Sequence, residues 1–170
     1  MKSLHYLIVI FLLMSICSCS QTTSQKPTYP QQVGDSKFDQ NIDDPAFRVC
    51  NQDTVLQYYN FGKGLQYKGE KIEIEEHFNQ LKITKLSTES GFITIRFIVN
   101  CEGKTGRYRV QEMDKTYAEK KFSKEFTARY LKLTMQLSGW EVGELEGKVY
   151  DYYQYLTFKI EDGQLKEIMP

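Results

Sequence analysis

The chain has 170 residues, and its 22 Lys and Arg balance its 22 Asp and Glu to give no net charge. Without a basic excess, composition does not recommend nucleic acid as a partner. Two histidines and four cysteines leave little material for zinc, whose structural sites want about four ligands.

The chain begins MKSLHYLIVIFLLMSICSCSQ. Lys2 supplies a charged start, and Leu7 to Met14 is an apolar run too short for a membrane span, which takes ~20 apolar residues. The pattern predicts a processing segment over residues 1–18, a lipoprotein signal peptide. Its end, Ile16-Cys17-Ser18-Cys19, resembles a bacterial lipobox, in which a small residue precedes the cysteine that is lipidated. The resemblance implies lipidation of Cys19. It also implies a permanent membrane tether, because several acyl chains hold a protein firmly where one does not. Ser20, in place of aspartate, implies the periplasmic face of the outer membrane. An ordinary secretory signal is the alternative.

Residues 20–40 read SQTTSQKPTYPQQVGDSKFDQ, polar and broken by Pro27 and Pro30. Such a segment cannot bury enough apolar surface to offset its ordering entropy. Residues 19–40 are therefore predicted to be a lipidated flexible tether, and residues 41–170 a single domain. An exported domain folds where thiols oxidise, so Cys50 and Cys101 are predicted to form a disulfide. Two free buried thiols are the alternative. Aromatic residues make up 14% of the chain, with 12 tyrosines. Strands accept tyrosine readily, and a tyrosine-rich surface also suits contact with protein or glycan.

The first elements of the domain are weakly patterned. Thr54 to Tyr59 is moderately strand-like. Gly62-Lys63-Gly64 is a turn, too short for a phosphate-binding loop. Glu70 to Lys82 places Ile74, Phe78 and Leu81 on one helical face, with His77 as a surface or cap residue. Gly91 to Val110 then reads as a β-hairpin. Ile93, Ile95, Phe97 and Val99 alternate with Phe92, Thr94, Arg96 and Ile98, which puts the first set on one buried face. Asn100, Glu102 and Gly103 supply turn chemistry, and Tyr108 and Val110 alternate with Arg107 and Arg109 in the return strand.

The clearest helix follows. Phe126, Tyr130, Leu133 and Leu137 share its apolar face, Ser123 is its N-cap, and Gly139 is its expected stop. Trp140 and a loop to Gly147 lead into a strand predicted over Val149–Ile160. Tyr152, Leu156, Phe158 and Ile160 have its inward parity, while Asp151, Tyr153, Tyr155 and Thr157 have its outward parity. Asp162-Gly163 is a hairpin signal that returns the chain through Gln164 to Ile168. The fold class is α+β, a small antiparallel sheet of three to four strands packed against one or two helices. Phe97, Val99, Phe126, Leu133 and Phe158 are expected to share one core.

This order resembles the C-terminal domain of TonB energy transducers and TonB-like proteins. The likeness rests on GFITIRFIVNCEG, on the helix closing into Gly139-Trp140, and on Gly147-Lys148-Val149 leading to a strand that ends near Phe158. It covers about residues 70–160. The sequence departs from the family at Glu141-Val142-Gly143, where proline often follows the tryptophan. The lipobox and short tether stand where TonB has a transmembrane anchor and a long proline-rich arm. The resemblance therefore implies a binding domain without proton-driven energy transduction by this chain alone.

Three functions follow in order. The first is a non-catalytic adaptor for a protein partner in the envelope, such as an outer-membrane receptor, with Asp151, Tyr153 and Tyr155 as its partner-binding residues. Its route would be β-augmentation at an open sheet edge, on the last long strand or the short strand after Gly163. The second is a structural lipoprotein that binds glycan or peptidoglycan through its tyrosines. The third is a small enzyme, for which the sequence offers no nucleophile motif, no His–Glu metal pair and no glycine fingerprint. Glu73, Glu75 and Glu76 read as a solvated helix face. No cofactor is expected.

Overall fold

The computed structural model describes residues 36–80 and 88–170. The signal peptide, Cys19, residues 19–35 of the tether and Leu81 lie outside them. Two helices, α1 (Glu70–Gln80) and α2 (Lys124–Met135), pack against one five-stranded sheet. The sheet contains β1 (Leu56–Gln57), β2 (Gly91–Val99), β3 (Thr105–Met113), β6 (Tyr152–Glu161) and β7 (Gln164–Met169). β4 (Gly143–Leu145) and β5 (Lys148–Tyr150) form a separate two-stranded hairpin. The α+β class therefore holds, with two corrections: the sheet has five strands where three to four were expected, and it is mixed. β1 runs parallel to β6, while β2–β3, β2–β6 and β6–β7 are antiparallel.

The period-two pattern of β2 becomes its burial. Ile93, Ile95, Phe97 and Val99 are fully enclosed, and across the ladder Ile93 faces Phe158 while Ile95 faces Leu156. Both helices cover this face. Phe78 of α1 and Tyr130 of α2 meet Phe158 at ring distances of 4.9 and 5.1 Å. Phe97, Val99, Phe126, Leu133 and Phe158 belong to one core, with Ile74 and Phe78 of α1. A single apolar layer between sheet and helices is the economical way to bury one face of each.

Helix α2 starts as its sequence demands, with Ser123 Oγ accepting the backbone N–H of Phe126 at 3.3 Å. Its end differs from expectation. The helix closes at Gln136 in right-handed geometry, and Gly139 is not a left-handed cap. Gly139 is instead where the Tyr67 ring lies close, since a Cβ there would sit 2.8 Å from Tyr67 Cζ. Close aromatic packing, not the helix stop, explains this glycine.

Two further differences matter for the site. The strand predicted over Val149–Ile160 is broken at Asp151, so β5 pairs with β4 and β6 alone joins the main sheet. Thr54 to Tyr59 yields only the two-residue β1, and the chain then turns into a 3-10 helix, Tyr58–Phe61, capped by left-handed Gly62. The hairpin between β6 and β7 follows its signal: Asp162 and Gly163 both have positive φ, the geometry of the favoured two-residue turn.

Candidate functional site

Two clusters lie away from the helix-covered core. The first surrounds the disulfide. Cys50 and Cys101 are bonded, with Cα atoms 6.1 Å apart. Asp151 sits beside them, 1% exposed. Its Oδ2 accepts the N–H of Asn51 at 2.7 Å and its Oδ1 that of Cys101 at 2.9 Å. Its own carbonyl accepts the N–H of Leu56 at 2.9 Å. One buried residue thus links the segment before β1, the β2–β3 turn and the start of β6. The two sulfurs and the Asp151 carboxylate gather as a metal site would, but bonded sulfurs offer no thiolate to a cation. The cluster is a staple.

The second cluster is the outer face of the sheet. Directly opposed strand residues share a face. The register sets Arg96 beside Tyr155 on one side and Arg109 on the other, with Ile98 beside Tyr153. One end of this face is covered by residues 36–48. Ser36 donates its N–H to Tyr153 Oη at 3.2 Å and accepts from Arg107 Nη1 at 3.1 Å. Asp43 takes both terminal nitrogens of Arg109, at 2.7 and 2.8 Å. The Arg109 guanidinium holds the Asp43 carboxyl below the usual carboxylate range, overcoming the opposing effect of burial. The same ion pair raises Arg109. Phe47 packs against Gly106, where any Cβ would overlap its ring. Residues 36–40, expected to belong to the tether, are therefore ordered against the sheet.

The remainder of that face is open among the described residues. Phe92, Thr94, Arg96, Gln111, Tyr155 and Thr157 are half-buried, with the Thr94 and Thr157 hydroxyls 3.0 Å apart. Tyr155 donates its hydroxyl to Gln57 Oε1 at 3.0 Å. The Tyr58 ring lies 6.3 Å from that of Tyr155 and 5.4 Å from that of Tyr59, edge to face in both pairs. Burial raises the Tyr155 hydroxyl pKa, partly offset by the Arg96 charge.

The three residues expected to bind a partner therefore separate. Asp151 and Tyr153 are 1% and 4% exposed and are held by internal contacts. The outward parity of Tyr153 was correct, but the N-terminal segment covers that end of the face. Asp151 lies outside β6 altogether, so strand parity did not apply to it. Tyr155 alone remains at the surface. Arg96, Tyr58 and Asp43 were not singled out from sequence. The one available signal was Arg96 itself, a charge at outward parity in an otherwise apolar strand.

The edges of the sheet are also altered from expectation. β6 is a central strand: β2 occupies one side, and β1 and β7 share the other. Between them Gln154 turns its side-chain amide onto the Tyr155 carbonyl at 2.9 Å. On β3, the Met113–Glu119 bridge and a Lys120 N–H to Glu112 carbonyl bond of 3.1 Å cover one end. The β2–β3 and β6–β7 ladders each carry a register shift, an irregularity that discourages edge pairing.

These features define a class: a small α+β domain with one helix-covered sheet face, one partly covered face, and a disulfide staple. Comparison with protein-family models, curated proteins and solved structures returns no match for the chain.

Proposed function

We propose that this chain is a lipid-anchored envelope protein, tethered through Cys19, whose domain is a non-catalytic adaptor for a protein partner. The order of helix, hairpin, helix, tryptophan and long strand supports the likeness to the TonB C-terminal domain, and an outer-membrane transport receptor is the partner that likeness favours. The observation that carries the adaptor reading is the open stretch of outer face around Tyr155, with Tyr58 and Tyr59 beside it. Tyrosine presents an apolar ring at low entropic cost while its hydroxyl stays satisfied. Recognition is proposed on this face and not by strand addition, because β6 is flanked on both sides and the ladders that β3 and β7 make each carry a register shift.

The test is a photo-crosslinking residue at position 155 of the full chain, irradiated in intact envelopes. The expected result is one discrete protein adduct, weakened by Tyr58→Ser and absent when the probe stands at Lys132 on the helical side. Adducts to glycan alone would transfer the reading to a glycan-binding lipoprotein. No enrichment at 155 over 132 would remove this face from the function.

A further inference from the structure

Among the charged groups of the outer face, Arg96 is the exception. Arg109 is occupied by Asp43, and Arg107 donates Nη1 to the Ser36 carbonyl although its Nε is enclosed without an acceptor. Lys159 is paired with Glu161 at 3.3 Å. The Arg96 guanidinium instead lies over the Tyr153 ring, 4.3 Å from its centroid, and 5.6 Å from that of Tyr155. Its Nε and Nη2 are enclosed with no hydrogen-bond partner, and among the described residues no carboxylate meets it. A half-buried guanidinium without an acceptor forgoes its strongest interaction, since charge-assisted bonds to carboxylates are about twice as strong as neutral ones.

The rings that hold Arg96 are themselves fixed. Tyr153 is anchored through its hydroxyl by Ser36, and Tyr155 through its own by Gln57. The guanidinium is thus positioned before any ligand arrives, which removes much of the ordering cost of binding.

We propose that Arg96, clamped between Tyr153 and Tyr155, is the receptor for a carboxylate side chain presented by the protein partner. This rests on the adaptor reading and names the chemistry of its site. The carboxylate enters at the open side of the clamp and meets Nη1, the guanidinium nitrogen that is not enclosed, with the Tyr155 ring beside its apolar stem. A carboxylate suits the site better than a phosphate. One guanidinium matches a single charge, whereas the other cations of the face are already in use.

The experiment uses the purified full chain in detergent and a fluorescein-labelled, capped pentaglutamate peptide, read by anisotropy. The glutamine counterpart of the peptide is the control. The expected result is saturable binding of the glutamate peptide alone, weakened roughly tenfold by Arg96→Gln and partly by Arg96→Lys, which keeps charge but loses the planar group held over the two rings. Lys148→Gln, at an exposed cation of β5, should leave binding unchanged within roughly twofold, which separates the site from general attraction. Thermal melting of each variant confirms that it is folded, and Arg96→Lys keeps the test open if Arg96→Gln is not. Equal binding by wild type and Arg96→Gln overturns the proposal. So does displacement of the peptide by inorganic phosphate more readily than by acetate, or tighter binding of an oligogalacturonate than of the peptide. If pentaglutamate fails to bind while crosslinking at position 155 still yields its protein adduct, the carboxylate receptor falls and the adaptor stands. If both fail, both fall.

Discussion

Asp151 and Cys101 are joined by a hydrogen bond from the Cys101 N–H to the Asp151 carboxylate, 2.9 Å long, so the disulfide does not hold its two segments alone. The other oxygen of Asp151 holds Asn51, the neighbour of Cys50. Replacing Asp151 by alanine leaves two backbone donors without their acceptor. The expected loss is about 2–4 kcal/mol, from the lower half of the ~1–3 kcal/mol for each unsatisfied group because both donors are only part-buried. Urea denaturation measures it. A loss under about 0.5 kcal/mol would mean that water replaces the carboxylate at no cost.

The covalent part of the staple should contribute separately. Cys50 and Cys101 are 51 residues apart in sequence. Closing a loop of that size is worth about 4 kcal/mol in the chain-entropy treatment. The Cys50→Ala, Cys101→Ala double variant should lose roughly that much on chemical denaturation, without change in helix or sheet content by circular dichroism.

Core packing offers a direct check on strand parity. Phe97 is fully buried, with the Trp140 ring 5.0 Å away and that of Tyr108 5.2 Å away. Phe97→Ala should cost about 3–5 kcal/mol. Phe92, on the opposite face and half-buried, should cost distinctly less when truncated.

The two neighbouring tyrosines of β6 should behave differently. Tyr153→Ser removes a buried ring, its bond to Ser36 and one wall of the Arg96 clamp. It should destabilise the domain by about 3 kcal/mol. Tyr155→Ser should cost about 1 kcal/mol or less and yet reduce partner crosslinking from a probe placed at Tyr59. Denaturation curves together with crosslinking yields separate the two effects.

The Asp43–Arg109 pair predicts an acid-labile attachment of residues 36–48. The folded-state pKa of Asp43 is depressed relative to an unfolded value of about 3.9. Its contribution is therefore fully present above about pH 4 and is lost as pH falls through the lower folded value. The Asp43 side chain is 2% exposed, so Asp43→Asn should destabilise by about 3 kcal/mol at pH 7, the low end for breaking a buried pair. That difference from wild type should vanish as the pH falls well below 4, measured by urea denaturation across pH.

Period and turn chemistry were enough to locate the inward faces of β2, β6 and α2, the Ser123 cap and the Asp162-Gly163 hairpin. Each of these depends on neighbours in the chain: side-chain direction alternates in a strand, recurs every three to four residues in a helix, and a two-residue turn needs positive φ. The Cys50–Cys101 pair was legible because only two cysteines lie beyond residue 40, so that on the expectation of export they have one simple pairing. What surrounds the site was not legible, because it depends on contacts between residues far apart in sequence. Tyr153 and Tyr155 have the same parity and the same side chain. One is covered because Ser36, 117 residues away, folds back onto it, and the other stays open. Asp151 reads as a surface carboxylate until Asn51 and Cys101 arrive from two other segments to donate to it. Arg96 shows its charge in the sequence, but its lack of an acceptor among the described residues emerges only when the sheet aligns it with Arg109, and Asp43 spends its carboxylate on that neighbour.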